Sequence, residues 1–314
     1  MRIVFFGTPD FAVASLQAMV EANKAVVAVV TATDKPAGRG QKLQPSPVKT
    51  YALSKGIPVL QPANLKDDAF IEALRAYKAD IQVVVAFRML PEAVWNMPPL
   101  GTYNVHASLL PAYRGAAPIN WAIINGEQKT GVTTFKLQHA IDTGNILLQD
   151  DVSIGPDETA GELYERLMSK GASLLLRSLE KIEANEVDLT AQPDAVEKHA
   201  PKIFKEDCKI DVSRAAADVH NFIRGMSPFP GAYLEVDLGG EKTERWKITR
   251  SRRTELSSEG DHLFSITGKQ LMLNTADGAV EVLEIQVPGK PKMDALSFLN
   301  GFKPLILKAK EATQ

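Results

Sequence analysis

Asn104-Val105-His106 sets a carboxamide and an imidazole two residues apart, and Asp142-Thr143-Gly144 supplies a carboxylate on a turn further along the chain. Each of the three has a use in acyl chemistry. An asparagine N–H can donate to a developing oxyanion. A histidine can carry a proton between reacting groups. An aspartate beside it can orient the ring and favour its charged form. No serine or cysteine nucleophile accompanies them, since the one cysteine, Cys208, lies far away in sequence. The combination points to acyl transfer straight to an external amine, without a covalent enzyme intermediate. Taken alone, an Asn-x-His also fits a turn cap followed by a hydrogen-bonded core histidine.

The elements around these residues make the chemical reading physically reasonable. Thr102–His106 is a strand candidate, and its period of two turns Asn104 and His106 to the same face. They would emerge at the strand's C-terminal end, where open α/β sheets carry their sites. Arg2–Phe6, Val26–Thr31, Asp80–Phe87, Val132–Leu137 and Asn145–Asp150 are further strand candidates, with Asp80–Phe87 apolar enough for a central parallel strand. Between them run helical patterns. One should start at Thr8-Pro9-Asp10, with Thr8 as cap and Pro9 in the first turn, and bury Phe11, Ala12, Ser15, Leu16, Met19 and Val20. Others span Asp67–Tyr77 and Gly161–Glu183. Strand–helix alternation of this kind predicts an α/β fold with a Rossmann-like doubly wound sheet over residues 1–184.

Residues 185–203 are polar, lack a period and hold Pro193 and Pro201, which reads as a linker. Residues 204–314 then change character. After a helix candidate at Ser213–Arg224 and the turn-rich SPFPGAY (227–233) come Ala232–Val236, Arg245–Thr249, His262–Thr267, Leu271–Asn274 and Val280–Val287. Short strands so closely spaced predict a small OB-like β-barrel domain.

Other chemistries are poorly supported. The turn after the first strand reads GTPDFA, with Pro9 where a dinucleotide fingerprint needs its second glycine. There is no phosphate-binding G-x-x-x-x-G-K-[ST] loop, and histidines 106, 139, 199, 220 and 262 lack metal-ligand spacing, so no metal is expected. A single cysteine allows no intrachain disulfide, and Cys208 reads as a small, partly buried side chain. The 314 residues carry a net charge of −2, so any nucleic-acid contact must come from local patches. The N-terminus lacks a signal-peptide pattern and no apolar run is long enough to span a membrane, so a cytoplasmic protein is expected.

NVHASLLPAYRG (104–115), followed by Asp142-Thr143-Gly144, resembles the N-x-H-x-S-L-L-P-x-x-R-G … D-T-G signature of the folate-dependent formyltransferases. The resemblance implies 10-formyltetrahydrofolate as co-substrate, with Asn104, His106 and Asp142 catalytic. It implies that Ser108, Leu109, Leu110 and Pro111 shape the folate pocket, their loop amides meeting the pterin. Arg114 is expected either to touch substrate or to brace the loop.

The acceptor needs separate evidence. GTPDFA, the basic loop TDKPAGRGQKLQPSPVK (33–49), APKIFKEDCKIDVSR (200–214) and IRGMSPFPGAY (223–233) are together similar to the branch of the family that formylates methionyl-initiator tRNA. The resemblance spans nearly the whole chain. It implies initiator Met-tRNA as partner; a monomer without membrane association is expected. Lys35, Arg39, Lys42 and Lys49 of the basic loop are candidate tRNA contacts, and the glycines around Arg39 suit an exposed loop. In ERWKITRSRR (244–253) five basic side chains face one acid, Glu244, making Arg245 and Lys247 candidates for tracking phosphates. Trp246 within it could stack on a base or pack in the core, and packing is the commoner fate.

Two positions depart from the family pattern: Arg88 stands where a glycine is usual after the central strand, and Ala140 where glycine is common before Asp142. Two other readings share these residues. A sugar-nucleotide formyltransferase acting on an amino sugar would keep the Asn–His–Asp set without needing the basic loop. A non-catalytic tRNA-binding module would need neither that set nor the folate loop.

Overall fold

The computed structural model describes residues 1–37, 42–194, 198–238, 243–257, 262–306 and 310–311. The elements run β1 (Arg2–Gly7), α1 (Asp10–Glu21), β2 (Ala25–Val30), β3 (Lys35–Ala37), β4 (Lys42–Gln44), α2 (Pro47–Ser54), β5 (Val59–Leu60), α3 (Asp68–Ala76), β6 (Ile81–Val85), α4 (Glu92–Trp95), β7 (Thr102–His106), β8 (Arg114–Gly115), α5 (Pro118–Ile124), β9 (Lys129–Lys136), β10 (Ile146–Ser153) and α6 (Ala160–Glu183). They continue with β11 (His199–Ala200), α7 (Ala216–Gly225), β12 (Ala232–Asp237), β13 (Thr243–Arg253), β14 (Phe264–Thr267), β15 (Gln270–Asn274), β16 (Ala279–Gln286), β17 (Met293–Asp294), α8 (Ala295–Ile306) and β18 (Lys310–Glu311). No helix of the described residues is long and apolar enough to cross a membrane.

The chain divides into two compact units. One comprises Met1–Gly115, Thr130–Val152 and Tyr164–His199, the other Ala116–Lys129, Ser153–Leu163 and Ala200–Gln314. Residues 116–129 and 153–163, which the sequence places within the first domain, thus cluster with the C-terminal residues.

The first unit is built on a seven-stranded sheet of order β10-β9-β7-β6-β1-β2-β5. β1, β2, β5, β6 and β7 are parallel, and β9 runs antiparallel to β7. The chain winds outward from β1 through β2 to β5, then returns to the other side of β1 as β6. That reversal opens a crevice beyond the C-terminal ends of β1 and β6, beside the end of β7. Every residue of β6 is buried, as its apolar run requires.

Local sequence explains most helix starts. Ser46 caps α2 by accepting from the Lys49 N–H, with Pro47 in the first turn, and Asp67 caps α3 by accepting from the Ala69 N–H. α1 departs from expectation. Its cap is Pro9, in extended conformation and without a side-chain bond, so the helix begins at Asp10 and Thr8 gives no side-chain cap. Proline fits that half-extended position, where the missing N–H costs nothing.

In the second unit, β14, β15, β16, β13, β12 and β18 follow one another across a sheet whose described pairings are antiparallel. The five expected strands are present, but the sheet is open among the described residues and no closed barrel forms. Its core holds Trp246, whose ring lies 6.0 Å from that of Phe264 and 5.3 Å from that of Phe298. Trp246 therefore packs rather than offering a stacking face. α5 and α7 also lie in this unit and meet at Gly225, where a Cβ would come within 2.6 Å of Ile124 Cγ1 and 3.1 Å of its backbone nitrogen. Only glycine allows so close a helix contact. The 153–163 segment joins the same unit through Arg224, which donates to the Gly155 and Glu158 carbonyls, and His220, which meets the Pro156 carbonyl; a reciprocal cap between Thr159 and Glu162 starts the helix within it.

Candidate active site

β7 delivers the two side chains that its period of two predicts. Val105 is buried, and Asn104 and His106 flank it, His106 almost wholly buried and Asn104 partly exposed. β6 and β9 clamp the strand from either side, pairing Val84 and Phe135 with Asn104. Among the described residues the Asn104 carboxamide has no hydrogen-bond partner, so its N–H groups remain for a ligand.

The His106 ring is held on two sides. Nε2 donates to the Tyr113 carbonyl at 2.9 Å, and Nδ1 faces Asp142 Oδ2 at 3.8 Å. The carbonyl can only accept, so Nε2 carries a proton. A proton arriving at Nδ1 would therefore sit beside a carboxylate oxygen. Asp142 Oδ2 also accepts from the Gly115 N–H at 2.9 Å. Asp142, distant in sequence, is thus brought against the His106 that β7 presents beside Asn104.

The backbone here is held in left-handed conformations that non-glycine residues avoid: Asp142 at φ 54°, Tyr113 at φ 61° and Ala86 at φ 47°. Each costs on the order of 1–3 kcal/mol, and such strain collects at functional sites. Gly144 has a different reason to be glycine. A Cβ there would fall 1.7 Å from the Lys136 carbonyl oxygen. The Asp-Thr-Gly run thus combines an acid in a strained turn with the one residue that lets the loop pass Lys136.

Ser108–Pro111 form a self-satisfied turn. Ser108 Oγ donates to the Ala112 carbonyl at 2.7 Å, and the Leu110–Pro111 peptide is cis. Buried Thr133 organises the turn from below: its hydroxyl donates to the Ser108 carbonyl at 2.7 Å and accepts from the Leu110 N–H at 3.1 Å. Gln149 donates to the Leu110 carbonyl and to Thr133 Oγ1, both at 2.9 Å. Within the loop the Leu110 N–H is spent on Thr133, and just beyond it the Ala112 N–H donates to the Leu109 carbonyl. Leu110 itself is buried.

Arg114 braces. Its Nε and Nη2 donate to Gln192 Oε1 at 3.1 and 2.8 Å, and Nη2 also to the Pro193 carbonyl. Gln192 belongs to the stretch read as a linker, and sequence reasoning missed it. A glutamine in an aperiodic polar run carries no signal of its own. The same stretch donates from Thr190 N–H to the Ile146 carbonyl at 2.8 Å and accepts the Tyr113 N–H on the Lys198 carbonyl at 2.7 Å.

Arg88 lies exposed past the end of β6, donating to the carbonyls of Pro62 and Ala63 with its guanidinium over the Phe87 ring. It ties two loops at the C-terminal edge of the sheet. Ala140 accepts from the Thr143 hydroxyl at 3.0 Å, so a turn forms there without glycine.

The basic candidates separate. Arg39 lies outside the described residues, and of Lys42 only its place in β4 is described. Lys35 is exposed on β3. Lys49 sits on α2 and pairs with Asp34 at 2.7 Å; its hydrogen bond, with a second from Gln61, holds that carboxyl below the usual carboxylate range. Its charge is spent internally. In the second unit most of the basic run is also matched, Arg245 by Glu235 at 3.0 Å, Arg250 by Glu162 at 2.9 Å and Arg252 by Glu281 at 3.4 Å. Lys247 is exposed on β13 and forms no ion pair among the described residues. Also among the described residues, no group of three or more His, Cys, Asp or Glu is gathered to hold a metal ion.

This site lies at the C-terminal ends of the parallel strands of a mixed sheet, with a reversal of strand order beside it and an Asn–His–Asp set that could serve group transfer. Residues 1–179 match the formyl transferase family and residues 202–303 its C-terminal domain; the chain belongs to that family. Among its relatives is a methionyl-tRNA formyltransferase of Porphyromonas gingivalis, 49% identical over 309 residues and covering 96% of each chain. Another protein of that name, from Bacteroides thetaiotaomicron, is 48% identical over the same share. Solved structures are similar in fold. An N-formyltransferase from Helicobacter canadensis, in complex with folinic acid and dTDP-3-aminofucose, has a TM-score of 0.65 at 23% identity, covering 89% of this chain and 98% of its own. HypX from Aquifex aeolicus, in complex with tetrahydrofolic acid, has a TM-score of 0.66 at 19% identity, covering 99% of this chain and 48% of its own.

Proposed function

We propose that this protein transfers the formyl group of 10-formyltetrahydrofolate to the α-amine of methionine esterified to initiator tRNA, for translation initiation. The observation that carries the reading is the Asn104–His106–Asp142 grouping in a chain that matches methionyl-tRNA formyltransferases at nearly half its positions and nearly full length.

The chemistry follows from the side chains. A free α-amine has a pKa of about 7.7–8.0, and esterification lowers it, so a neutral fraction exists near pH 7. The amine attacks the formyl carbon on N10 of the folate. Asn104 donates an N–H to the oxyanion of the tetrahedral intermediate. His106 helps move the amine proton to the departing N10. Nδ1 is the nitrogen for that step, because Nε2 is committed to Tyr113 and Asp142 stands ready to balance the charge at Nδ1. For His106 also to donate to the oxyanion, it must exchange the Tyr113 carbonyl for the substrate.

Residues 1–184 then carry the chemistry, with Ser108–Pro111 shaping the folate side. Residues 204–314 engage tRNA, their antiparallel strands forming an OB-like sheet, and the stretch after α6 packs on the catalytic residues before leading into them. Lys35, Arg39, Lys42 and Lys247 are the cations for tRNA phosphates. Lys49 and Arg245 contribute less, being paired. The enzyme acts as a cytoplasmic monomer.

The test is formyl transfer from 10-formyltetrahydrofolate to initiator Met-tRNA by wild type, Asn104→Ala and His106→Ala. Removing one oxyanion donor costs about 10²–10³ in rate, and losses of that size are expected with folding intact. A folded His106→Ala protein with near-normal turnover would overturn the assignment.

A further inference from the structure

Gln192 lies 50 residues from Asp142 in sequence, yet its carboxamide Nε2 donates to the carbonyls on both sides of Thr143, that of Asp142 at 3.0 Å and that of Gly144 at 2.6 Å. Its Oε1 accepts twice from Arg114. These partners decide which way the carboxamide points. Two carbonyls need the NH₂ end, and a guanidinium needs the oxygen. Arg114 is itself anchored by the neighbouring Pro193 carbonyl.

The consequence falls on Asp142. Its left-handed backbone, at φ 54°, is one that aspartate tolerates better than most residues, and it holds a single position only where neighbouring hydrogen bonds fix the turn. Gln192 holds the carbonyls bracketing the turn, while the Gly115 N–H holds the carboxylate from the other side. The acid is thereby fixed in main chain and side chain, at 3.8 Å from His106 Nδ1.

We propose that Gln192 is a positioning residue for Asp142, oriented by Arg114, so that the stretch after α6 is part of the catalytic apparatus. This rests on Asp142 acting with His106, as above. The position requires a donor. Glutamate would still pair with Arg114, but it would turn an acceptor toward two carbonyl oxygens.

The test is kcat and the KM values for 10-formyltetrahydrofolate and initiator Met-tRNA in Gln192→Glu, Gln192→Ala, Asp142→Asn and the Gln192→Glu/Asp142→Asn pair, with thermal unfolding of each. Displacement of a catalytic group by about 1 Å can cost about 10²-fold. We expect kcat to fall roughly 10- to 100-fold in both Gln192 variants. The folate KM should change by less than about twofold, since the Gln192 carboxamide is engaged by Arg114 and the Asp142 and Gly144 carbonyls. In the Asp142→Asn background, Gln192→Glu should cost little more, because the group it positions is already disabled. Wild-type kcat in either Gln192 variant, or fully multiplicative losses in the pair, would overturn the proposal. A wild-type kcat in Asp142→Asn would instead sink the reading of Asp142 itself.

Discussion

Gly144→Ala tests how demanding the close pass at the Asp-Thr-Gly turn is. The new Cβ would lie 1.7 Å from the Lys136 carbonyl oxygen, 2.8 Å from its carbon and 3.0 Å from Phe135 Cδ2. Carbon atoms in good contact sit about 3.5–4.0 Å apart, and oxygen only slightly closer, so the loop must open by roughly 1.5 Å. The first two atoms are backbone in a strand of the sheet and cannot swing away. Opening strains the Lys136 N–H bond to the Asn145 carbonyl, now 2.9 Å. Overpacking costs about 1–3 kcal/mol and one lost hydrogen bond about 1 kcal/mol, giving about 2–4 kcal/mol. For a unit of this size that is a fall in melting midpoint of roughly 4–16 °C. Asp142 moves with the loop, so kcat should drop by about 10²-fold below the unfolding temperature. Differential scanning calorimetry and the formyl-transfer assay read the two effects. A variant matching wild type in midpoint and kcat would refute the reasoning.

Two further outcomes are expected in the second unit. Burial holds the His220 imidazole below the ordinary histidine value, with Arg224 and Arg253 adding to it and the Pro156 carbonyl bond and Asp157 opposing. A group depressed in the folded state stabilises above its unfolded pKa of about 6.5 and loses that contribution as pH falls through the folded value. Wild-type melting should therefore fall between pH 7.5 and 5, and His220→Gln should start lower but fall less; parallel curves by calorimetry would refute this. Lys247→Ala should weaken tRNA binding and reduce the slope of log K against log salt by about one, as for one lost phosphate contact. Arg245→Ala should change it less, since Glu235 already neutralises Arg245. Equal effects in a salt titration would show that pairing does not decide which cations reach the RNA.

Much of this architecture is legible in the sequence because it depends on short-range pattern. The period of two in Thr102–His106 places Asn104 and His106 together, and the apolar run Asp80–Phe87 marks a buried central strand, found at Ile81–Val85. The helix read at Asp67–Tyr77 is found at Asp68–Ala76, with Asp67 as its cap. What the sequence hides is long-range. Gln192 reaches Asp142 only because the chain after α6 folds back, and nothing local encodes that return. Five short strands at Ala232–Val287 are readable, but whether their outer strands meet depends on register and twist accumulated across the sheet, which alternation does not state. The charge run at 244–253 looks free until cross-strand and distant carboxylates are known to answer it.

The division into units bears on how this protein can be inherited and rearranged. The chain passes from one unit to the other after residues 115, 129, 152, 163 and 199. No single cut frees the C-terminal unit whole. A fragment beginning at residue 204 would lack α5 and the 153–163 segment. Arg224 would lose the Gly155 and Glu158 carbonyls, His220 that of Pro156, and Gly225 the Ile124 side chain fitted against it. Recombination that joined such a fragment to another catalytic chain would need matching pieces at two earlier places as well. An exchange that keeps the second unit whole must therefore carry all three of its segments, which two stretches of the first unit interrupt in sequence.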